Sequence, residues 1–510
     1  MTTSAEAGRA APLPDERRAV APHEPALGLG GAPVGMPERT TAVATRSTIM
    51  DTNAYRTDSG VPLSPRTAQL VARRQEVLGP SYRLFYRRPV HLVSGHGAHL
   101  VDADGADYLD VYNNVASVGH AHPRVAAAIA EQAATLNTHT RYLHDGIVGY
   151  GEQLLALLPE QIDQVMFCCT GSEANDLAVR VAQAATGGTG VIVTAEAYHG
   201  NTALTSGMSP ALGTAQPLGT DVRVVPAPDL YRVRVGDARH PGNHGNAGDP
   251  GDPAALGRWM ADQVRTQIAD LERHGIRFAA FLADSIFSSD GVHPDPAGYL
   301  RPVVEAVHQA GGVWIADEVQ PGFARTGDAF WGFDRHGVVP DLVTTGKPMA
   351  NGIPMSALAA RSEVLAPFGE QIPYFNTFGG NPVAMAAAQA VLDVIHDEGL
   401  QRHAATVGAR LLTELRNLAA QHPSVGDVRG AGLYIGVDLV QDPVTRAPDT
   451  ATALDVVEGL RDRYVLTSVC GPGNVLKLRP PLVFDDDDVD RLCTELDEVL
   501  TEVEHRPARH

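Results

Sequence analysis

Three stretches place reactive residue types at the ends of short apolar runs. Val313-Trp-Ile-Ala-Asp-Glu-Val-Gln reads as a buried strand that ends in two acids, Asp317 and Glu318. Open α/β folds put their sites at the carboxyl edges of strands. A carboxylate there can hold a proton on a heterocyclic nitrogen. Leu342-Val-Thr-Thr-Gly-Lys-Pro is a second such strand, with Lys347 in the turn that follows. Partial desolvation at that edge lowers a lysine's pKa and frees its amine to bond a carbonyl carbon. Thr170-Gly-Ser-Glu-Ala-Asn follows a third strand and opens a helix. Gly171 allows close backbone approach, Ser172 offers a hydroxyl, and the unpaired N–H groups of a helix start favour an anion such as phosphate. Taken singly, each has a plainer reading: an acid satisfied by backbone donors, a snorkelling surface lysine, a serine-capped helix.

The elements that must position these residues alternate along the middle of the chain. Candidate strands are Val165–Cys168, Gly190–Thr194, Phe278–Ala283, Val313–Ala316 and Leu342–Thr344, brief and apolar as in a sheet covered on both faces. Helices between them predict a layered α/β domain. Residues 91–110 read as a β-meander with Gly and Asp-Gly turns, and Pro123–Leu136 as a helix. Toward the end, 400–422 and a helix opening at Asp485–Asp488 carry apolar residues at helical spacing. Acids there suit the helix's positive end. This last region is expected to pack with residues ~81–115 as a smaller α+β domain. Residues 1–65, rich in Ala, Pro, Gly and Thr, read as a disordered tail, and 235–253 as a polar surface insertion.

Composition removes several function classes. The 510 residues carry 40 Lys+Arg against 60 Asp+Glu, a formal charge of −20. Such a field repels phosphate backbones and anionic lipid, so no nucleic-acid or membrane partner is expected. No apolar run approaches the ~20 residues of a membrane span. Four cysteines, two of them adjacent at 168 and 169, form neither a disulfide framework nor a metal-ligand spacing. Reduced thiols, a cytoplasmic location and no metal are expected.

A phosphate cradle, an acid and a lysine, each at a strand edge, are what pyridoxal 5′-phosphate (PLP) requires. The combination resembles the class III, or ω-, aminotransferases of fold-type I. The resemblance rests on Gly171-Ser-Glu-Ala-Asn, Ala197-Tyr-His-Gly, Asp317-Glu-Val-Gln-Pro-Gly-Phe-Ala-Arg-Thr-Gly, Gly346-Lys-Pro-Met-Ala-Asn-Gly-Ile-Pro, Thr377-Phe-Gly-Gly-Asn-Pro and Leu476-Lys-Leu-Arg-Pro-Pro-Leu. It implies a large three-layer domain (116–385) with a mainly parallel seven-stranded sheet, and a smaller α+β domain built from 66–115 and 386–505. It also implies that Lys347 holds the cofactor's aldehyde, Asp317 meets the ring nitrogen, and Val319 and Tyr198 cover the two ring faces with His199 beside them. Gln320 falls near the ring hydroxyl, and Gly171 and Ser172 bind the phosphate. Thr377 completes that phosphate site from a second subunit of a homodimer. Tyr112-Asn-Asn-Val-Ala-Ser-Val-Gly-His and Asn137-Thr-His-Thr-Arg-Tyr-Leu-His-Asp resemble the branch of ethanolamine-phosphate and phosphohydroxylysine phospho-lyases. Arg141, and less strongly Arg479, are candidates for a substrate anion. Asp284-Ser-Ile-Phe departs from the Glu-Ser usual in that branch. Transamination of a primary amine or amino acid is the first activity implied, and loss of phosphate and ammonia from a phosphorylated amine the second. A non-catalytic binding protein would be expected to have lost Lys347 or Asp317.

Overall fold

The first three strands, β1 (Leu92–His96), β2 (His99–Asp102) and β3 (Asp107–Asp110), form the expected antiparallel meander. This computed structural model describes residues 48–57, 60–233 and 253–506. The tail as far as residue 47 and the insertion at 235–253, apart from Pro253, therefore lie outside the described residues.

Seven strands follow: β4 (Gln164–Cys168), β5 (Gly190–Thr194), β6 (Val222–Val225), β7 (Phe278–Ala283), β8 (Val313–Asp317), β9 (Leu342–Thr345) and β10 (Ser356–Ala360). They build one sheet in the order β4-β10-β9-β8-β7-β5-β6. Only β10 runs against its neighbours, which makes the sheet mainly parallel. The period-two alternation of a strand sorts its side chains to two faces. Val191, Val193, Ala280, Leu282, Val313, Ile315 and Leu342 pack with Leu177, Ala178 and Val181 of the helix Gly171–Thr186. Ile192, Phe281, Trp314 and Val343 face the other way, into the core that holds Met260, Val264, Val303 and Val307. Both faces are covered, hence the unbroken apolar runs.

The remaining strands, β11 (Val425–Ala431), β12 (Tyr434–Leu439), β13 (Val465–Leu466), β14 (Ser468–Cys470) and β15 (Val475–Leu478), belong to two smaller sheets. β13 pairs parallel with β3, Val465 opposite Leu109, which joins the C-terminal region to the meander. The final helix, Asp486–Glu504, begins in a capping box of Asp485 and Asp488, so the acidic run is a helix start as its charge implied.

One expectation is corrected. Residues 48–57, placed in the tail by composition, are structured. Ile49–Asp51 forms a 3-10 turn. The N–H of Tyr55 donates to the carbonyl of Leu84 at 2.8 Å, and that of Tyr86 to Asn53 at 2.7 Å. The Asp51 carboxylate pairs with Arg83 at 2.6 Å. These partners lie some thirty residues away in the chain, beyond the reach of local composition.

Candidate active site

β8 and β9 are parallel neighbours, with Asp317 opposite Thr344. Their carboxyl ends therefore deliver Asp317 and, just past Thr345, Lys347 to one edge of the sheet. β4 ends at the same edge: β10 lies between it and β9, with Ser356 opposite Cys168 and Ala357 opposite Thr345. The helix Gly171–Thr186 starts there, capped by the Thr170 side chain. These termini surround a cavity of about 490 Å³. Lys347, Asp317, Gly171, Ser172, Tyr198, His199, Val319, Gln320 and Arg479 all line it.

Alternation also separates the two acids. Asp317 continues the face of Val313 and Ile315, toward the helix Gly171–Thr186. Its Oδ2 accepts from His199 Nδ1 at 2.7 Å and Asn175 Nδ2 at 2.9 Å, and its Oδ1 from the N–H of Val319 at 3.1 Å. Asn175 is fixed in turn by Thr344, whose hydroxyl donates to Asn175 Oδ1 at 2.6 Å. Three donors hold a buried carboxylate in one orientation. Glu318 points to the opposite face and is wholly buried. It accepts from the Ser285 hydroxyl at 2.5 Å and from the N–H groups of Gly332 and Phe333. Burial pushes its carboxyl up to about 8, against the pull of those donors.

Lys347 is half-buried at the cavity wall. Burial, and after it the charge of Arg479, lowers its ammonium to about 8, while Asp317 and Asp284 oppose that shift. At the helix start, Ser172 Oγ donates to Asn201 Oδ1 and accepts from the Asn201 N–H, both at 3.1 Å. Two glycines make the approach possible. A Cβ on Gly171 would sit 3.1 Å from Val319, and one on Gly200 (φ +144°) 2.6 Å from Ser172 Oγ.

Arg479 is buried and bridges two segments. Its Nη1 donates to Asn114 Oδ1 at 2.9 Å and to Gln320 Oε1 at 2.5 Å, and its guanidinium lies 4.4 Å from the centre of the Tyr112 ring. Arg141 and Thr377 are not brought into the cavity. Arg141 is exposed and stacks on Phe375, 4.5 Å from the ring centre, and Thr377 is exposed two residues further on.

Sequence reasoning gave no role to Asn175, Asp284 or Lys477. Asn175 sits one turn into the helix from Gly171, on the side of the sheet edge. Lys477 precedes Arg479 by two residues, a spacing that sends both side chains to one side of a strand. Lys477 is buried beside the Tyr434 ring, and burial, then Arg479, lowers its ammonium to about 7. Asp284 is folded back onto its own turn, accepting from the Ile286 N–H at 2.9 Å and from the Ser288 hydroxyl.

The donor set fits PLP. It offers an amine for the aldehyde, an oriented carboxylate for the ring nitrogen, and a helix start at a glycine whose Cβ would intrude for the phosphate. The sequence model of the family "Aminotransferase class-III" matches residues 86–500. The chain belongs to that family. Like other class III aminotransferases and phospho-lyases, it is a PLP-dependent enzyme. Among its relatives, an alanine–glyoxylate aminotransferase 2-like protein of Drosophila melanogaster is 40% identical over 85% of this chain and 87% of its own. Ethanolamine-phosphate phospho-lyase homolog 1 of Caenorhabditis elegans is 38% identical over 85% and 93%. The solved structure of a phospholyase from Arthrobacter in complex with phosphoethanolamine superposes with a TM-score of 0.79 at 42% identity, covering 86% of this chain and all of that one.

Proposed function

We propose that this class III enzyme is a phospho-lyase that, with the uptake of one water, releases phosphate and ammonia from a short phosphorylated primary amine and leaves an aldehyde whose oxygen comes from that water. One observation carries the reading. Lys477 and Arg479 are only 6% and 7% exposed, line the cavity that holds Lys347, and have no carboxylate partner at ion-pair distance among the described residues. Burying an unpaired cation is costly. A dianionic phosphate group on the substrate would offset both charges at once. The likeness to the Arthrobacter phospholyase points the same way.

When bound, PLP supplies an electron-accepting ring that stabilises negative charge on the carbon beside the amine. Lys347 would hold the cofactor's aldehyde, and its free amine would take the proton from that carbon. Its lowered pKa raises the neutral fraction needed for this. Asp317, oriented by His199 and Asn175, keeps a proton on the ring nitrogen. Val319 and Tyr198 would cover the ring faces, Gln320 would meet the ring hydroxyl, and Gly171 and Ser172 would hold the cofactor's phosphate. Lys477 and Arg479 neutralise the departing phosphate.

Incubation with O-phosphoethanolamine and no keto acid should give phosphate and ammonia in equal amounts. Phosphate that appears only with an added keto acid, or not at all, refutes this reading. The aminotransferase relatives favour transamination as the second reading. It requires an amino acceptor and leaves pyridoxamine phosphate when none is given.

A homodimer completes the site. Tyr142, Leu143, Phe375 and Phe378 are large, exposed apolar side chains flanking Arg141 and Thr377 in sequence. A second copy covering them would bring Thr377 to the neighbouring phosphate cradle and Arg141 toward the neighbouring substrate. Four free cysteines fit a reducing, cytoplasmic compartment, and the net charge of −20 disfavours nucleic acid as a partner.

A further inference from the structure

Ile49 lines the catalytic cavity, although it belongs to a segment whose composition predicts disorder. The segment 48–55 is seated on three separate parts of the chain, each of which also lines that cavity. At one end the Thr48 methyl lies where a Cβ on Gly213 would come within 2.6 Å, and Gly213 has φ +79°. Ala211, two residues earlier, lines the cavity. In the middle, Asp51 pairs with Arg83, and Thr52 lies 3.5 Å from a Cβ built on Gly473, just past the lining residue Gly471. At the other end Ala54 bridges to Phe85, again a lining residue. Phe85 stands edge-on to Tyr112 at 5.7 Å, and Tyr112 stacks on Arg479. The segment thus runs from the Pro210–Leu212 turn to the aromatic pair that backs the guanidinium, with Ile49 on the cavity wall.

We propose that residues 48–55 are a fixed wall of the active site and that Ile49 is the residue limiting the length of the amine admitted. The proposal rests on the reading of an amine-plus-anion substrate held by Lys347, Lys477 and Arg479. The amine is held at Lys347 and the anion at Lys477 and Arg479, and Ile49, Phe85, Val115 and Val469 are apolar side chains of the same cavity. Among these, Ile49 comes from the segment held at the three places named above. One methylene more than an apolar pocket accommodates costs about 10–200-fold in discrimination.

The test uses the full-length holoenzyme and the 2-aminoethyl, 3-aminopropyl and 4-aminobutyl phosphates. Each is titrated by the change in the bound cofactor's visible absorption, and half-saturating concentrations are compared. The wild-type enzyme should favour the two-carbon compound. Ile49→Ala should narrow the two-carbon to four-carbon ratio by about tenfold, Ile49→Val by less, and Ile49→Phe should widen it. An unchanged ratio in Ile49→Ala, or an equal loss for all three lengths, overturns the proposal. If Ile49→Ala does not fold, the opposite shifts expected of Ile49→Val and Ile49→Phe decide. Phosphate release from the two-carbon compound is scored separately, so a failed lyase reading leaves the length ratio interpretable.

Discussion

Replacing Lys477 by methionine keeps the length and apolar bulk of the side chain and removes its charge, so it isolates what that charge does. The wild-type ammonium is buried, lies beside the Tyr434 ring and has no carboxylate at ion-pair distance among the described residues, while Arg479 repels it and the more distant Asp284 attracts it. A hydrogen bond between this ammonium and a phosphate oxygen, charged on both sides, is worth about 1.5–3 kcal/mol. Lys477→Met should therefore lower kcat/KM for O-phosphoethanolamine by about 10- to 150-fold. An uncharged amine of similar size, followed through the cofactor's absorption, should change by less than about twofold, since the charge that is lost acts on the phosphate alone. Stability should move the other way, because an uncompensated buried cation is gone. The pH dependence gives a second signature. In the folded enzyme Lys477 loses its proton near pH 7, in the unfolded chain near 10.5. The unfolded state binds the extra proton across that window, so wild-type stability gains from this group as pH rises from about 7 to 10. Lys477→Met should lack that part of the slope. Steady-state kinetics on both amines and thermal melts at pH 7 and 9 check all of this. Equal loss on charged and uncharged amines, together with a lower melting point, would mean that Lys477 only supports the fold.

Further outcomes follow from the same geometry. Lys347→Ala should abolish covalent attachment of the cofactor, read as loss of the borohydride-fixed adduct and of activity. Asp317→Asn sets an amide group against donors from His199, Asn175 and Val319, and should lower kcat by at least about 100-fold, from the general acid–base contribution alone. His199→Gln should cost less, because two of those three donors remain. Glu318 binds its proton up to about pH 8 when folded and only to about 4.5 unfolded. Its contribution is therefore present below pH 4.5 and lost as pH rises toward 8. Glu318→Gln should flatten that fall in melting temperature. Sedimentation should give a dimer, and Leu143→Glu with Phe378→Glu should yield monomers of reduced activity.

Much of the site was legible because its residues end apolar strands. Val313–Ala316 and Leu342–Thr344 were readable from their unbroken apolar character, and each falls one residue short of the observed β8 and β9. β10 was not readable. Ser356-Ala-Leu-Ala-Ala is poor in β-branched residues, and its strand character comes from lying between β4 and β9. Val222–Val225 is too short to stand out without β5 beside it. The seating of Ile49 was hidden for the same reason, since every partner is remote in sequence. Asp317 and Glu318, adjacent and chemically alike, could be assigned different fates only once strand alternation sent them to opposite sides of the sheet.

The place of β10 has a consequence for how the enzyme comes to life. β4 touches the rest of the large sheet only through this one reversed strand. Until Ser356–Ala360 has been made and inserted, β4 itself has no partner strand in the large sheet, although the helix Gly171–Thr186 that follows it can already pack on β7, β8 and β9. During synthesis Gln164–Cys168 should thus be the last strand of the large sheet to gain protection of its amides from exchange, and fragments ending before residue 356 should leave it unprotected.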